Sequence, residues 1–276
     1  MGSARWNARC AASSGSRDRP DRMPVSRDQA RAARHKRCCA RIAPVRSHVS
    51  NFYTVRFSFM VDYAKQRVTM VDTQVRPSDV TKFPIIDAML DVPREEFLPE
   101  ARRAMAYVGG PIEIAPGRAL LDARTIAKML DAADLEPGDV VLEIGSGTGY
   151  CTALLARLVE AVVAVEEDAD LASDAEATLS DQGVDNAAVV TGSLVEGHAK
   201  AGPYDAILIF GGIEAFPDAL GEQLADGGRI VGVFMNGAHG EVRVGLKSDG
   251  WLSWRMEFNA SAEVLPGFER AETFSF

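Results

Sequence analysis

The chain has 276 residues, 47% of them hydrophobic and 25% charged, ordinary proportions for a folded protein with a sizeable core. Those figures exclude collagen-like, disulfide-scaffold and wholly disordered classes. No run approaches the roughly 18 uncharged apolar residues of a membrane span, and no apolar segment near the start resembles a secretory signal. A soluble, cytoplasmic protein is expected.

The net charge of −9 hides a split. Residues 1–59 hold 13 Lys and Arg against 3 Asp and no Glu, whereas residues 60–276 hold 17 basic and 36 acidic side chains. The leader shows no helical or alternating period and too little apolar surface to offset its ordering entropy. Three readings are open for it: a non-native start with the true beginning at Met60, an Arg- and Ser-rich transit peptide, or a nucleic-acid-binding arm. The first fits the abrupt change at residue 60 best, so no nucleic-acid partner is expected. Cys38-Cys39 with His35 lack a second Cys pair at ligand spacing, and no metal site is expected. His48, His198 and His239 are isolated. Cys151 is the single thiol after residue 59 and suits a reducing compartment.

In chain order, Met60–Arg76 is helix-compatible and ends at Pro77. A second helix is predicted near Thr81–Leu90, with Phe83, Ile86 and Leu90 on one face. A Pro-punctuated connection and an irregular stretch lead to Gly117. Asp122 is placed to cap a helix that carries Ile126, Met129, Leu130 and Ala133. We read residues 60–135 as an N-terminal helical region and 136–276 as a Rossmann-like, cofactor-binding domain. Short apolar runs at Val140–Ile144, Val162–Val165, Ala188–Val190, Ala206–Phe210 and Ile230–Phe234 alternate with helices carrying Cys151, Leu154, Leu155 and Leu158, then Leu171, Ala175 and Leu179, then Phe216, Leu220 and Leu224. That rhythm predicts an α/β fold with a doubly wound, mostly parallel sheet covered on both faces. Val242, Val244 and Leu246, then Leu252, Trp254, Met256 and Phe258, alternate around Asp249-Gly250, which predicts a C-terminal antiparallel hairpin. Five parallel strands closed by a hairpin is the layout of Rossmann-like methyltransferases.

Glu143-Ile-Gly145-Ser146-Gly147-Thr148-Gly149-Tyr150 follows the first of these strands. Its glycines let the backbone turn tightly and approach a ligand. A dinucleotide fingerprint requires its third glycine at the sixth position, where Tyr150 stands, and the Gly-Lys-Ser/Thr ending of a P-loop is missing. Glu166 ends the next strand, where a carboxylate can accept from both hydroxyls of a ribose. Together these features point to an adenosine cofactor, with S-adenosyl-L-methionine favoured over NAD by the glycine spacing and the hairpin.

Over residues 60–235 the sequence resembles the protein-L-isoaspartate O-methyltransferase family. The resemblance is carried by Met70–Arg76, Asp87–Arg94 with Phe97-Leu-Pro99, Ala106-Tyr107, Pro111–Met129, Gly138–Tyr150, Pro203–Ile207 and Gln223–Arg229. It implies methylation of the α-carboxyl group of L-isoaspartyl residues in damaged proteins, with S-adenosyl-L-methionine as donor, by a monomeric enzyme acting on protein or peptide substrates. It also implies a cofactor set of Glu143, Gly145, Ser146, Gly147, Thr148, Gly149, Glu166, Ser193 and Leu194. Two departures stand out. The family's acceptor-site serine falls, in a gapless alignment, on Leu121, followed by Asp122, so these two are the acceptor-pocket candidates. The acid the family places near the adenine is Ser193. An altered acceptor, or a non-catalytic interaction module on the same fold, are the alternatives that Leu121 opens.

Overall fold

The computed structural model describes residues 61–271. The basic leader, with His35, Cys38, Cys39 and His48, lies outside the described residues. Asp62 caps α1 (Tyr63–Met70) by accepting from the Lys65 amide. The winding continues through a π turn over Val71–Val75 and a 3-10 turn over Arg76–Ser78. Pro77 thus sits inside the last turn, and the chain reverses at Asp79, whose φ is 67°. In α2 (Phe83–Asp91) Pro84 occupies the first turn, where a missing N–H leaves no hydrogen bond unmade.

The stretch read as irregular contains more order than its sequence suggested. It holds 3-10 turns at Arg94–Phe97 and Glu100–Met105. It also holds a small hairpin, β1 (Ile112–Ala115) and β2 (Arg118–Leu120), reversed at Gly117. Strands of four and three residues are too short for alternation to register. Helix α3 (Ala123–Ala133) follows at once.

The remaining elements are β3 (Val140–Ile144), α4 (Tyr150–Ala156), β4 (Ala161–Glu166), α5 (Ala169–Asp181), β5 (Ala187–Thr191), β6 (Tyr204–Ile213), α6 (Asp218–Glu222), β7 (Leu224–Asn236), β8 (His239–Ser248) and β9 (Trp251–Asn259). They build one sheet in the order β5-β4-β3-β6-β7-β8-β9. The first five pair in parallel, and β8 and β9 add antiparallel. The expected architecture is therefore present. Several strands run longer than read, β6 and β7 most of all, and Leu224, read as helical, begins β7, where it pairs with Tyr204. Gly227, at φ +84°, and Gly228, where a Cβ would lie 2.9 Å from the Asp205 carbonyl oxygen, do not suit a continuing helix.

Alternation along the parallel strands divides the core. Val141, Val162, Ala206, Leu208 and Val231 face one cluster with α3, α4 and the N-terminal helices. Leu142, Ile144, Ile207, Ile209 and Ile230 face another that contains Leu220 and Phe268. The chain leaves β3 on one side for β4 and later returns on the other as β6. This creates a switch point at the carboxyl ends of the strands, where open α/β sheets hold ligands.

Arg94 ties the N-terminal region to this frame. It is 1% exposed, donates to the carbonyls of Ala106 (2.8 Å) and Leu121 (2.7 Å), and lies over the Tyr150 ring. Arg94→Met keeps most of the volume but leaves both carbonyls without this donor. Urea unfolding should show a loss of about 2–3 kcal/mol, the scale of buried hydrogen bonds to a charged group.

Candidate functional site

The glycine loop joins β3 to α4 at the switch point, and every residue from Val141 to Tyr150 is buried. Its path is set by backbone angles that only glycine adopts freely: φ is +78° at Gly145, +56° at Gly147 and +90° at Gly149, which caps α4. The amides of Gly145 and Ser146 donate to the Val165 carbonyl at 3.0 and 3.4 Å, pinning the loop to the neighbouring strand. The Gly147 amide donates to Glu166 at 2.7 Å. Parallel pairing of β3 with β4 thus brings together two features 19 residues apart in sequence.

Glu166 is fully buried. One carboxylate oxygen accepts from the amides of Glu167 (3.0 Å) and Asp168 (3.2 Å), the other from Gly147. Arg118, on β2, grips both oxygens at 2.5 and 2.7 Å. The Glu166 carbonyl accepts from the Gly192 amide at 2.9 Å, which sets Ser193 and Leu194 directly beyond it. Ser193 is half-buried and Leu194 fully buried among Val165, Leu265 and their neighbours.

Two of the expected residues face elsewhere. Thr148 donates its hydroxyl to the Phe97 carbonyl at 2.5 Å, and so locks the loop to the N-terminal region. Glu143 lies on the α4 side of β3, fully buried, with no partner for either oxygen; the hydroxyls of Ser146 and Thr152 are also unpartnered. Burial, aided by the charge on Glu166 and opposed by nearby Thr152, pushes the Glu143 carboxyl up to about 8. It is therefore a neutral acid at pH 7.

The acceptor candidates do not line an open pocket. Leu121 is 3% exposed and packs into the core, while its carbonyl serves Arg94. Asp122 caps α3, one oxygen accepting from the Thr125 amide (2.9 Å) and the other from the Thr125 hydroxyl (2.7 Å). The helix cap thus engages both oxygens of the acceptor-pocket candidate. Three site residues escaped the sequence reading: Arg118, Ile114 and Leu265. A Cβ on Gly147 would lie 2.7 Å from Ile114 Cδ1, and one on Gly211 would lie 2.4 Å from Leu265 Cγ. Arg118 stands within Pro111–Met129, but nothing local links it to a glutamate 48 residues away.

A family model described as protein-L-isoaspartate(D-aspartate) O-methyltransferase matches residues 66–253. The protein-L-isoaspartate O-methyltransferase of Koribacter versatilis (strain Ellin345) is 40% identical over 172 residues, covering 62% of this chain and 78% of that protein. Its namesake in Syntrophus aciditrophicus (strain SB) is 41% identical over 169 residues, 61% and 78% of the two chains. A solved structure named protein-L-isoaspartate O-methyltransferase superposes with a TM-score of 0.64 at 24% identity, covering 74% of this chain and 65% of that one. A Plasmodium falciparum protein described by the same activity, in complex with S-adenosyl-L-homocysteine, gives 0.63 at 18% identity, covering 74% and 97%. At these identities the two structures speak for the fold.

Two outcomes follow from this geometry. Gly147→Val forces a branched side chain into positive φ and onto Ile114, so calorimetric binding of S-adenosyl-L-homocysteine should be lost in a folded variant. Glu143 binds a proton in the folded chain up to about pH 8 but releases it near pH 4.3 when unfolded. Its contribution to stability is therefore greatest at low pH and declines as pH rises through that window. Glu143→Gln removes the titration, so the melting temperature of the variant relative to the parent should climb between pH 5 and 8. A difference that is flat with pH would contradict the assignment.

Proposed function

Because the chain belongs to the protein-L-isoaspartate O-methyltransferase family, we infer that it transfers a methyl group from S-adenosyl-L-methionine to the free carboxyl group of L-isoaspartyl residues in damaged proteins. The observation that carries the reading is the glycine loop held on Glu166 at the switch point of the sheet. We read the chain as a monomer that works in the cytoplasm on protein or peptide substrates; the single thiol after residue 59 suits a reducing compartment.

The donor set fits the cofactor. Glu166 ends β4 where a carboxylate suits a ribose, the positive-φ glycines leave backbone free of Cβ atoms, and the unpartnered Ser146 hydroxyl offers a polar atom in the loop. The residues that would hold it are Gly145–Gly149 and Glu166, with Ser193 and Leu194 toward the adenine. When bound, S-adenosyl-L-methionine supplies an electrophilic methyl carbon on a sulfonium.

An α-carboxyl group titrates at about 3.3–3.7, so the acceptor is already ionised at neutral pH and needs no strong base. The work left to the protein is to align the carboxylate and to exclude water. Neutral Glu143 adds no negative charge against an anionic acceptor, and Asp122 directs both oxygens to Thr125. With Leu121 in the core, alignment of the acceptor falls to groups other than a hydroxyl at that position.

A tritiated-methyl transfer assay tests the function. Label should pass to an isoaspartyl peptide as a base-labile ester, and not to the same peptide with ordinary aspartate. Equal labelling of both peptides, or of neither, would remove the repair activity from this chain.

A further inference from the structure

Resting on the cofactor reading above, we propose that this chain carries its own plug in the cofactor site. Arg118 occupies the ribose-binding carboxylate and Leu265 fills the crevice, so that the cofactor enters only as both withdraw.

Glu166 has no free capacity. A carboxylate offers about four lone-pair sites, and this one already receives five donors: two from Arg118, and the amides of Gly147, Glu167 and Asp168. The amides belong to the loop and strand that make the site. Arg118 is the one donor that comes from outside, on the β1–β2 hairpin, and its side chain is 8% exposed. Two ribose hydroxyls must replace its bidentate grip, one of the stronger pairings available to a carboxylate.

Leu265 closes the space from the other side. Gly145 directly follows β3 and Gly211 lies near the end of β6, so the two flank the switch point. The Leu265 side chain lies 2.4 Å from where a Gly211 Cβ would stand and 3.0 Å from the Gly145 equivalent; Arg118 Nη2 lies 3.6 Å from the latter. Both side chains therefore lie over Gly145. Leu265 belongs to a strap, residues 260–271, laid against β6. Gly212 donates to Glu263 (2.7 Å) and accepts from Leu265 (3.0 Å), while Glu214 and Ala215 donate to Phe268 at 3.0 and 2.9 Å. Leu265 is 3% exposed and Phe268 is fully buried, so the strap has a foothold of its own. It also lies beyond residue 253, where the family match stops.

The test is titration calorimetry of the full chain with S-adenosyl-L-homocysteine for the parent, Arg118→Gln, Leu265→Ala and the double variant. Hydrogen exchange of the parent with and without the ligand accompanies it. A plug predicts weak binding by the parent, at least tenfold tighter binding by Arg118→Gln, a smaller gain for Leu265→Ala, and the largest gain in the double variant. It also predicts faster exchange at the amides of Leu265 and Phe268 in the parent when the ligand binds, a readout that needs no substitution to fold. Parent binding that no variant tightens, with the strap still protected, overturns the plug and leaves the cofactor reading standing. Folded proteins of which none binds the ligand overturn both.

Discussion

A carboxylate removed from water must be surrounded by donors, and the organisation around Glu166 is how this chain meets that demand. The amides of Gly147, Glu167 and Asp168 converge on it, and that convergence requires β3 and β4 to lie in parallel register with their ends level. The loop in turn owes its path to three glycines at positive φ. Arg118 completes the shell and fastens the short β1–β2 hairpin to the sheet. Loop, hairpin and strand end are therefore coupled through one buried charge, where removing a partner is expensive.

The sheet was legible because its strands are short, apolar and evenly spaced, with boundaries at Val140–Ile144 matching residue for residue. The glycine loop and Glu166 were legible because backbone freedom and a terminal acid are local properties. What could not be read was contact between distant elements that share no periodicity. Arg118 and Glu166 meet only once the hairpin folds over the loop, and Leu265 reaches Gly211 only because the strap runs along β6. The β1–β2 hairpin itself left no pattern in seven residues.

Leu121 and Asp122 hold structural places at the junction between hairpin and helix, and the cap at Asp122 is the one its position before an apolar helix predicts. A helix start needs an acceptor for its free amides, and Asp122 meets that need with Thr125. Leucine next to it completes a core shared with Arg94, Tyr150 and α3. The two substitutions act as a structural pair: a cap and a core residue at the junction between hairpin and helix.

The antiparallel addition of β8 and β9 has a consequence for how the molecule meets other proteins. Every open sheet ends in unpaired backbone groups that can recruit a foreign strand. Here the two extra strands carry that edge away from the β3–β6 crevice to β9, where Arg255 and Glu257 form an ion pair and Trp251 stands 81% exposed at the turn. Charged side chains on an edge discourage strand recruitment. A protein that acts on other polypeptides meets such recruiting segments, and this sheet keeps its guarded margin well apart from the crevice.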